Sequence, residues 1–331
     1  MLMKSSEINL DGSQRKSITS IISNIFKRGG IYLAFGILII IIAIIAPKVL
    51  APLHILDMLK NGSVLGIIAI AQTLLILIRG IDLSVGAHVI LIMLLVDGIS
   101  MKNPDKTLLV IVVALAVGVL VGLLNGLLVV KLKIEPLVSS IGVMSLLTGI
   151  SYIYTKGFGK GQAPPFIREL GSGQVFKVVP VSLIIWAVLA IILIVVLKKT
   201  IFGRKIYAVG SNPRSASIVG ISVTRISLTV YIISGVLVAI AGIILAGYLS
   251  NPTLAGGDTY PMDSIAAVIL GGTIFAGGKG GVGGTIIGTL IIVVLASLLN
   301  ILGLGHPWKL ILQGLIVLLL VFSYTGRNKN N

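Results

Sequence analysis

The apolar residues of this chain come in repeated runs of about 17 to 24, and a helix of that length crosses a hydrocarbon core of roughly 30 Å at 1.5 Å per residue. The runs predict ten spans, near 30–50, 63–79, 84–101, 107–130, 137–155, 181–198, 226–249, 262–276, 284–302 and 309–323. The expectation is an all-α polytopic membrane protein of about ten transmembrane helices, with a polar segment over 1–28, one transmembrane domain over 29–325 and a tail over 326–331. Ten spans take about 200 residues, so the loops are short. The run over 31–46 outlasts the apolar part of a secretory signal, and no small-residue cleavage site precedes Pro47 and Lys48, so it is read as a retained span. The stretch 1–20 is polar and expected to be loosely ordered.

Composition agrees. Of 331 residues, 56% are hydrophobic and 11% charged, at a mean hydropathy of +1.13. Soluble domains carry about 25% charged residues, so a water-exposed surface cannot be built from this chain. Cysteine is absent, which excludes disulfides, thiolate catalysis and thiolate metal sites. The net charge of +16 finds its explanation in topology rather than in nucleic acid. With the N-terminus in the cytoplasm, 17 of the 26 basic residues fall inside against four of the ten acidic ones. Nine basic and six acidic residues fall outside. That asymmetry follows the positive-inside rule with both termini cytoplasmic, and the inner surface also attracts anionic membrane lipid.

Two readings of an internal echo stay open. Leu123-Leu124-Asn125 recurs as Leu298-Leu299-Asn300, each beyond a glycine-broken segment of its own half. Paired interruptions point to the pathway in repeat-built transporters, and chance in an apolar sequence is the alternative.

Asp82 is the residue hardest to place. It lies in Gly80-Ile81-Asp82-Leu83-Ser84-Val85-Gly86 between two apolar runs, and a carboxylate at membrane depth costs a few kcal/mol unless paired or wet. Either the backbone unwinds at Gly80 and Gly86 beside a water-filled cavity, with Arg79 or nearby N–H groups satisfying the carboxylate, or Asp82 caps the next helix at a wet mouth. Gly271, Gly272 and Thr273 open a second glycine-rich run that ends at Gly284. A Walker A loop fails there, because Thr273 stands where the first glycine belongs and Gly280 follows Lys279 where Ser or Thr is required. Gly278, Gly280 and Gly283 fit a dinucleotide fingerprint, but no acid follows Asp263. Close helix packing or an unwound segment facing a cavity remain. The translocation-pathway candidates are therefore Gly80, Asp82, Ser84, Gly86, Asn125, Gly271, Gly272, Thr273 and Asn300.

The loop 198–225 carries six basic residues and no acid. Within it Asn212 is an N-cap, Pro213 suits the first helical position and Gly220 the stop, which predicts a two-turn helix over 213–219 outside the bilayer. So short a helix is marginal alone and must dock. Ser215, Ala216 and Ser217 offer a small-residue face to another protein, or else the helix packs on its own membrane end. His54, His88 and His306 show no metal spacing, no cofactor motif survives, and nothing supports catalysis. Trp186, Trp308, Tyr152, Tyr154, Tyr248 and Tyr260 are expected as interfacial anchors.

Four ordered motifs carry a family resemblance. The segment from Gly80 to Gly86, then Gly203-Arg204-Lys205-Ile206-Tyr207-Ala208-Val209-Gly210-Ser211-Asn212, then Ala266-Ala267-Val268-Ile269-Leu270-Gly271-Gly272-Thr273 and Gly277-Gly278-Lys279-Gly280 resemble the permease subunit of ribose-type ABC sugar importers over about residues 50–325. The resemblance implies a bacterial inner-membrane permease that pairs with a second copy or a close relative. It implies a cytoplasmic ATPase and an extracytoplasmic sugar-binding protein as partners, and no enzyme activity in this chain. It makes 198–225 the ATPase-coupling loop, with Gly203, Arg204, Asn212, Pro213, Ala216 and Gly220 as its candidate residues. The stretches 156–180 and 303–308 depart from ribose permeases, and ribose-like, xylose-like and autoinducer-2-like branches share the inner motifs. From other classes, an ion-gradient-driven carrier would need buried ionisable relays, for which Asp82 is the one deep candidate, and a channel would work without an ATPase.

Overall fold

The computed structural model describes residues 35–305 except 41 and 250, together with 32, 307, 308, 310, 311, 314 and 315. The segment 1–28, the tail 326–331 and most of the span predicted at 309–323 lie outside the described residues. The first predicted span is helical where described, over Phe35–Ile45, and passes through Ala46 into a 3-10 turn, Pro47–Leu50.

Six helical stretches among the described residues are long and apolar enough to cross a membrane. They lie in α1 (Pro52–Leu77), α3 (Thr107–Val130, entered through a 3-10 turn at Pro104–Lys106), α4 (Pro136–Thr155), α6 (Val181–Lys199), α9 (Val223–Tyr248) and α11 (Val282–Ile301). Between them stand α2 (Val85–Ser100), α5 (Pro165–Ser172), α7 (Ile201–Ser211), α8 (Pro213–Ile218) and α10 (Tyr260–Leu270). Two two-residue strands, β1 (Gln174–Val175) and β2 (Val179–Pro180), pair antiparallel in the loop before α6, so the all-α description holds for the membrane domain but not for this small hairpin.

Predicted boundaries hold within a few residues for most spans, with two differences. α1 begins at Pro52 rather than near 63. Its first turns carry His54, Asp57, Lys60 and Asn61, which an apolar window discards, yet Pro52 at the first position and contacts such as Lys60 over the Tyr248 ring hold them helical. The span expected over 262–276 is the eleven-residue α10, ended at Gly271 although Ile274, Phe275 and Ala276 continue the apolar run. Gly272 takes φ +81°, and the Gly272 and Thr273 amides donate to the Ile269 and Val268 carbonyls, a Schellman stop.

α1 is the central helix, with residues 62–77 all buried. Of its apolar window 83% is buried, against 28% for α3, α4 and α6, which face outward. The outward-facing α3 and α6 are more apolar than α1, and α1 carries Ser63, Gln72 and Thr73 buried at the centre, away from lipid. Between helices in lipid the hydrophobic effect adds little, so close contact must come from small residues. Gly118, Gly122 and Gly126 of α3 supply it, all three laid against α9. A Cβ at Gly118 would stand 2.8 Å from the Gly235 carbonyl oxygen, and one at Gly122 would stand 2.5 Å from that of Tyr231. α11 lies on α10 in the same way, through Gly284 on Gly271 and Gly288 on Ala267.

Candidate functional site

The break between α1 and α2 begins with a second Schellman stop. Arg79 takes φ +66°, its amide donates to Ile76 O and the Gly80 amide to Leu75 O. Asp82 follows, and both alternatives for it are resolved. It is 5% exposed, so it does not cap a wet mouth. It does start α2: Asp82 Oδ1 accepts from the Ser84 amide at 2.7 Å and from Ser84 Oγ at 2.5 Å, and a carboxylate there also meets the positive end of the α2 dipole. Asn125 on α3 donates through Nδ2 to Ser84 Oγ at 3.1 Å and to Asp82 Oδ2 at 3.4 Å. The buried Ser139 hydroxyl reaches Asn125 Oδ1 at 3.5 Å. The carboxylate is thus held within a polar knot joining the start of α2 to α3 and α4, and it is not among the residues lining the two cavities described below. Arg79 is not its partner. Asp82→Ala would leave the Ser84 amide and hydroxyl buried without their acceptor, an expected loss of about 1–3 kcal/mol. A fall in the detergent melting temperature of the variant measures it.

Two cavities flank residues 254–261, the end of the non-helical stretch that leads into α10 together with the first two residues of that helix. An eleven-residue helix rises about 16 Å, roughly half a hydrocarbon core, so the stretch before α10 reaches membrane depth as irregular backbone. Such backbone is tolerated where protein buries it or a wet cavity receives it. Its seat is Gly86 in the first turn of α2. A Cβ on Gly86 would overlap the Gly257 carbonyl oxygen, and one on Gly257 would lie 2.7 Å from the Gly86 oxygen. The larger cavity, about 740 Å³, opens between α2, α4 and this stretch, and is lined by Gly86, Ala87 and Ile90, by Ser145, Thr148 and Tyr152, and by Asp258 and Pro261 among others. Its size falls within the roughly 300–1,000 Å³ usual for small-molecule sites. The smaller, about 340 Å³, lies on the other side between α1 and α11, lined by His54, Asp57, Asn61, Thr259, Tyr260, Asp263, Ser297 and Asn300.

The predicted candidates are therefore dispersed. Gly86 lines the larger cavity and Asn300 the smaller, while Asp82, Ser84 and Asn125 form the knot. Gly80 packs against Tyr231, with 2.8 Å from a Cβ to the phenol oxygen. Gly271 lies against Gly284, and the buried Thr273 accepts from the Gly281 amide at 3.1 Å. Asn125 is buried and Asn300 exposed, so the two echoed asparagines sit in unlike surroundings. Sequence reasoning missed Ser145, Thr148 and Asp258. The available signals were hydroxyls spaced by three at 145, 148 and 151 along one predicted span, and an acid between a glycine pair and a helix-starting proline. Trp186 is not an interfacial anchor: it is 4% exposed and its ring fills the space beside Gly66. Tyr152, instead, lines the larger cavity. Among the described residues no group of His, Asp or Glu could hold a metal ion.

The third region is the end of the bundle where α1, α7, α8 and the glycine-rich loop meet. Thr200 caps α7 by accepting from the Gly203 amide at 3.1 Å, and Gly203 turns the corner against the Val196 and Leu197 carbonyls. Asn212 Oδ1 accepts from the Ser215 amide at 3.0 Å, Pro213 takes the first position, and Gly220 stops the helix at φ +81°, as the cap chemistry predicts. One detail differs: Ala216 is buried against the core at 3% exposure, while Ser215 and Ser217 are exposed beside Ile218 at 79% and Val219 at 74%. The outward surface of α8 thus joins two serines to an apolar tip, with Arg204 and Arg214 exposed nearby. Arg79 ties α7 to α1, donating through Nε to Gly210 O at 2.7 Å and through Nη2 to Ser211 O at 2.6 Å. The Gly278 amide donates to Leu77 O at 2.9 Å. Tyr207 Oη donates to Gly280 O at 2.9 Å, and burial pushes its phenol above the usual tyrosine range, which keeps the donated proton in place.

Six helices long and apolar enough to cross a membrane, a helix break beside a cavity and a small capped helix at one end of the bundle fit a multi-pass membrane permease. The chain belongs to the family described as branched-chain amino acid transport system / permease component, whose model matches residues 54–321. It is 39% identical over 300 residues to the ribose import permease protein of Bacillus subtilis, covering 90% of this chain and 92% of that one. Identity to the ribose import permease protein of Haemophilus influenzae is 37% over 305 residues, covering 90% and 94%. Identity to the galactose/methyl galactoside import permease protein of Escherichia coli K12 is 33% over 318 residues, covering 89% and 93%. No solved structure matches the chain. The protein is a transport subunit of the bacterial inner membrane.

Proposed function

We propose that this chain is the permease of an ATP-driven monosaccharide importer, with a ribose-like pentose as cargo, and that the 740 Å³ cavity between α2, α4 and residues 254–261 is part of its pathway. The single observation that carries the class is similarity over nine-tenths of the chain to relatives named for ribose and galactose import. The family description names an amino acid, but the relatives are named for sugars, and a fold shared by a family does not fix its cargo. The full protein crosses the membrane about ten times with both termini in the cytoplasm, as the basic loops argue. A second copy closes the pathway, and an extracytoplasmic sugar-binding protein delivers to it. Galactose import by one relative favours a hexose as the second reading.

In this reading α8 is the knob on which a cytoplasmic ATPase acts. Its cap and stop hold six residues rigid, Ala216 roots it, and Ile218 and Val219 give it an apolar tip. Closure of the ATPase on ATP moves α8, and α7 and Arg79 carry the movement to α1 and the broken helices, so that the cavity changes the side to which it opens. Ile218→Asp with Val219→Asp is expected to weaken copurification of the ATPase by more than about tenfold, since a charge replaces a buried anchor at the centre of a contact, and the fold itself is spared because both side chains are exposed. The deciding experiment reconstitutes the permease with its ATPase and binding protein in liposomes. Labelled D-ribose accumulates with ATP when the proton gradient is collapsed. Accumulation by the permease alone, or dependence on the ion gradient, overturns the reading.

A further inference from the structure

The α4 wall of the larger cavity carries Ser145, Thr148 and Ser151, and each hydroxyl donates to the carbonyl four residues earlier: to Ile141 at 3.1 Å, Met144 at 2.8 Å and Leu147 at 2.9 Å. A hydroxyl has one proton and two lone pairs. With the proton committed to the helix, what remains for a solute is acceptor capacity. Across the cavity Asp258 is exposed on the non-helical stretch, and a carboxylate only accepts. Among the described residues no lysine, arginine or histidine lines the space, and the Tyr152 phenol is its one side-chain O–H not bonded back to the helix. A chamber so furnished has lone pairs and negative charge on its walls, one neutral donor and no cationic donor among the described residues.

We propose that this cavity is an acceptor-lined filter that reads hydroxyl donors, passing neutral polyols and rejecting solutes that carry a carboxylate or phosphate, with Thr148 and Asp258 as its specificity-determining residues. A cyclic sugar offers a hydroxyl donor on most of its carbons and meets acceptors on both walls. An anionic solute brings further lone pairs and a like charge, and nothing in the lining neutralises either. The inference rests on the cavity being the pathway.

The native chain has no cysteine, so a single introduced thiol reports on the cavity without background. Thr148→Cys in the full-length protein, reconstituted in liposomes, is to be treated with a cationic and an anionic methanethiosulfonate reagent of similar size. The cationic reagent is expected to react faster by at least about tenfold relative to the same pair acting on a free thiol, the lower end of what a one-sign cleft does to local ion concentration. Adding Asp258→Asn should bring the ratio close to the free-thiol value, and excess D-ribose should slow both reagents. Equal labelling of Thr148→Cys by the two reagents overturns the filter while leaving the pathway standing. No labelling by either, in a variant that still binds its ATPase, overturns the pathway reading and the filter with it.

Discussion

Arg79→Ala is expected to leave the permease folded and bound to its ATPase, but to cut sugar carried per ATP hydrolysed by more than about tenfold, the scale of losing a charged contact worth about 1.5–3 kcal/mol. The guanidinium is where α1 meets the knob. It donates in a fork to Gly210 O and Ser211 O, the last carbonyls of α7, one residue before Asn212 caps α8. Apart from the Gly278 to Leu77 bond, that fork is the polar tie at this end through which displacement of α8 reaches the central helix. Lysine offers no planar fork and should restore little. Arg79→Gly separates side chain from backbone. Arg79 sits at φ +66°, where glycine is at ease and other residues are strained by about 1 kcal/mol. If the turn were what matters, Arg79→Gly would equal or exceed the native protein. If the fork matters, it fails as alanine does, with ATP hydrolysis continuing. A native ratio of transport to hydrolysis in Arg79→Ala ends the argument.

Gly86→Ala is expected to abolish transport, although it adds one methyl group. That methyl would overlap the Gly257 carbonyl oxygen and stand 3.0 Å from its carbon and 3.2 Å from Pro261 Cδ. These are backbone and ring atoms that cannot swing aside, so the stretch 254–261 must lift off α2. Overpacking of this kind costs about 1–3 kcal/mol, and here the displaced stretch is the partition between the two cavities. The control is Gly149→Ala on α4, where a Cβ meets nothing within 4 Å; it should gain up to about 1 kcal/mol of helix propensity and transport normally. Uptake and melting temperature of the two variants decide the matter, and native uptake by Gly86→Ala would show that residues 254–261 are not seated on α2.

The α8 knob illustrates what is legible from residues close in sequence. Asn212, Pro213 and Gly220 specify a start and a stop within nine positions, and the structure places a cap bond and a left-handed glycine at those residues. The spans over 107–130, 137–155 and 181–198 were legible for a similar reason, since an uninterrupted apolar run has to leave water wherever it occurs. The family resemblance added the importer class, which no period or spacing supplies. α10 was misjudged because a turn at Gly271 and Gly272 overrides the apolar residues beyond it. The early turns of α1 were missed because their polar residues are satisfied by distant partners, Ser297 for His54 among them.

By itself, then, the sequence determined that the chain is built of apolar helices long enough to cross a membrane, and where a small capped helix forms, because each of these depends on neighbours along the chain. Only the tertiary structure decided that Asp82 is held by Asn125, that Arg79 reaches Gly210 and Ser211, and that Thr148 faces Asp258 across one chamber. These pairs lie far apart in sequence, and they meet only because small residues such as Gly86 and Gly257 let the backbones approach. A glycine shows where a close contact is allowed; which surface arrives to make it is settled by the packing of the whole bundle.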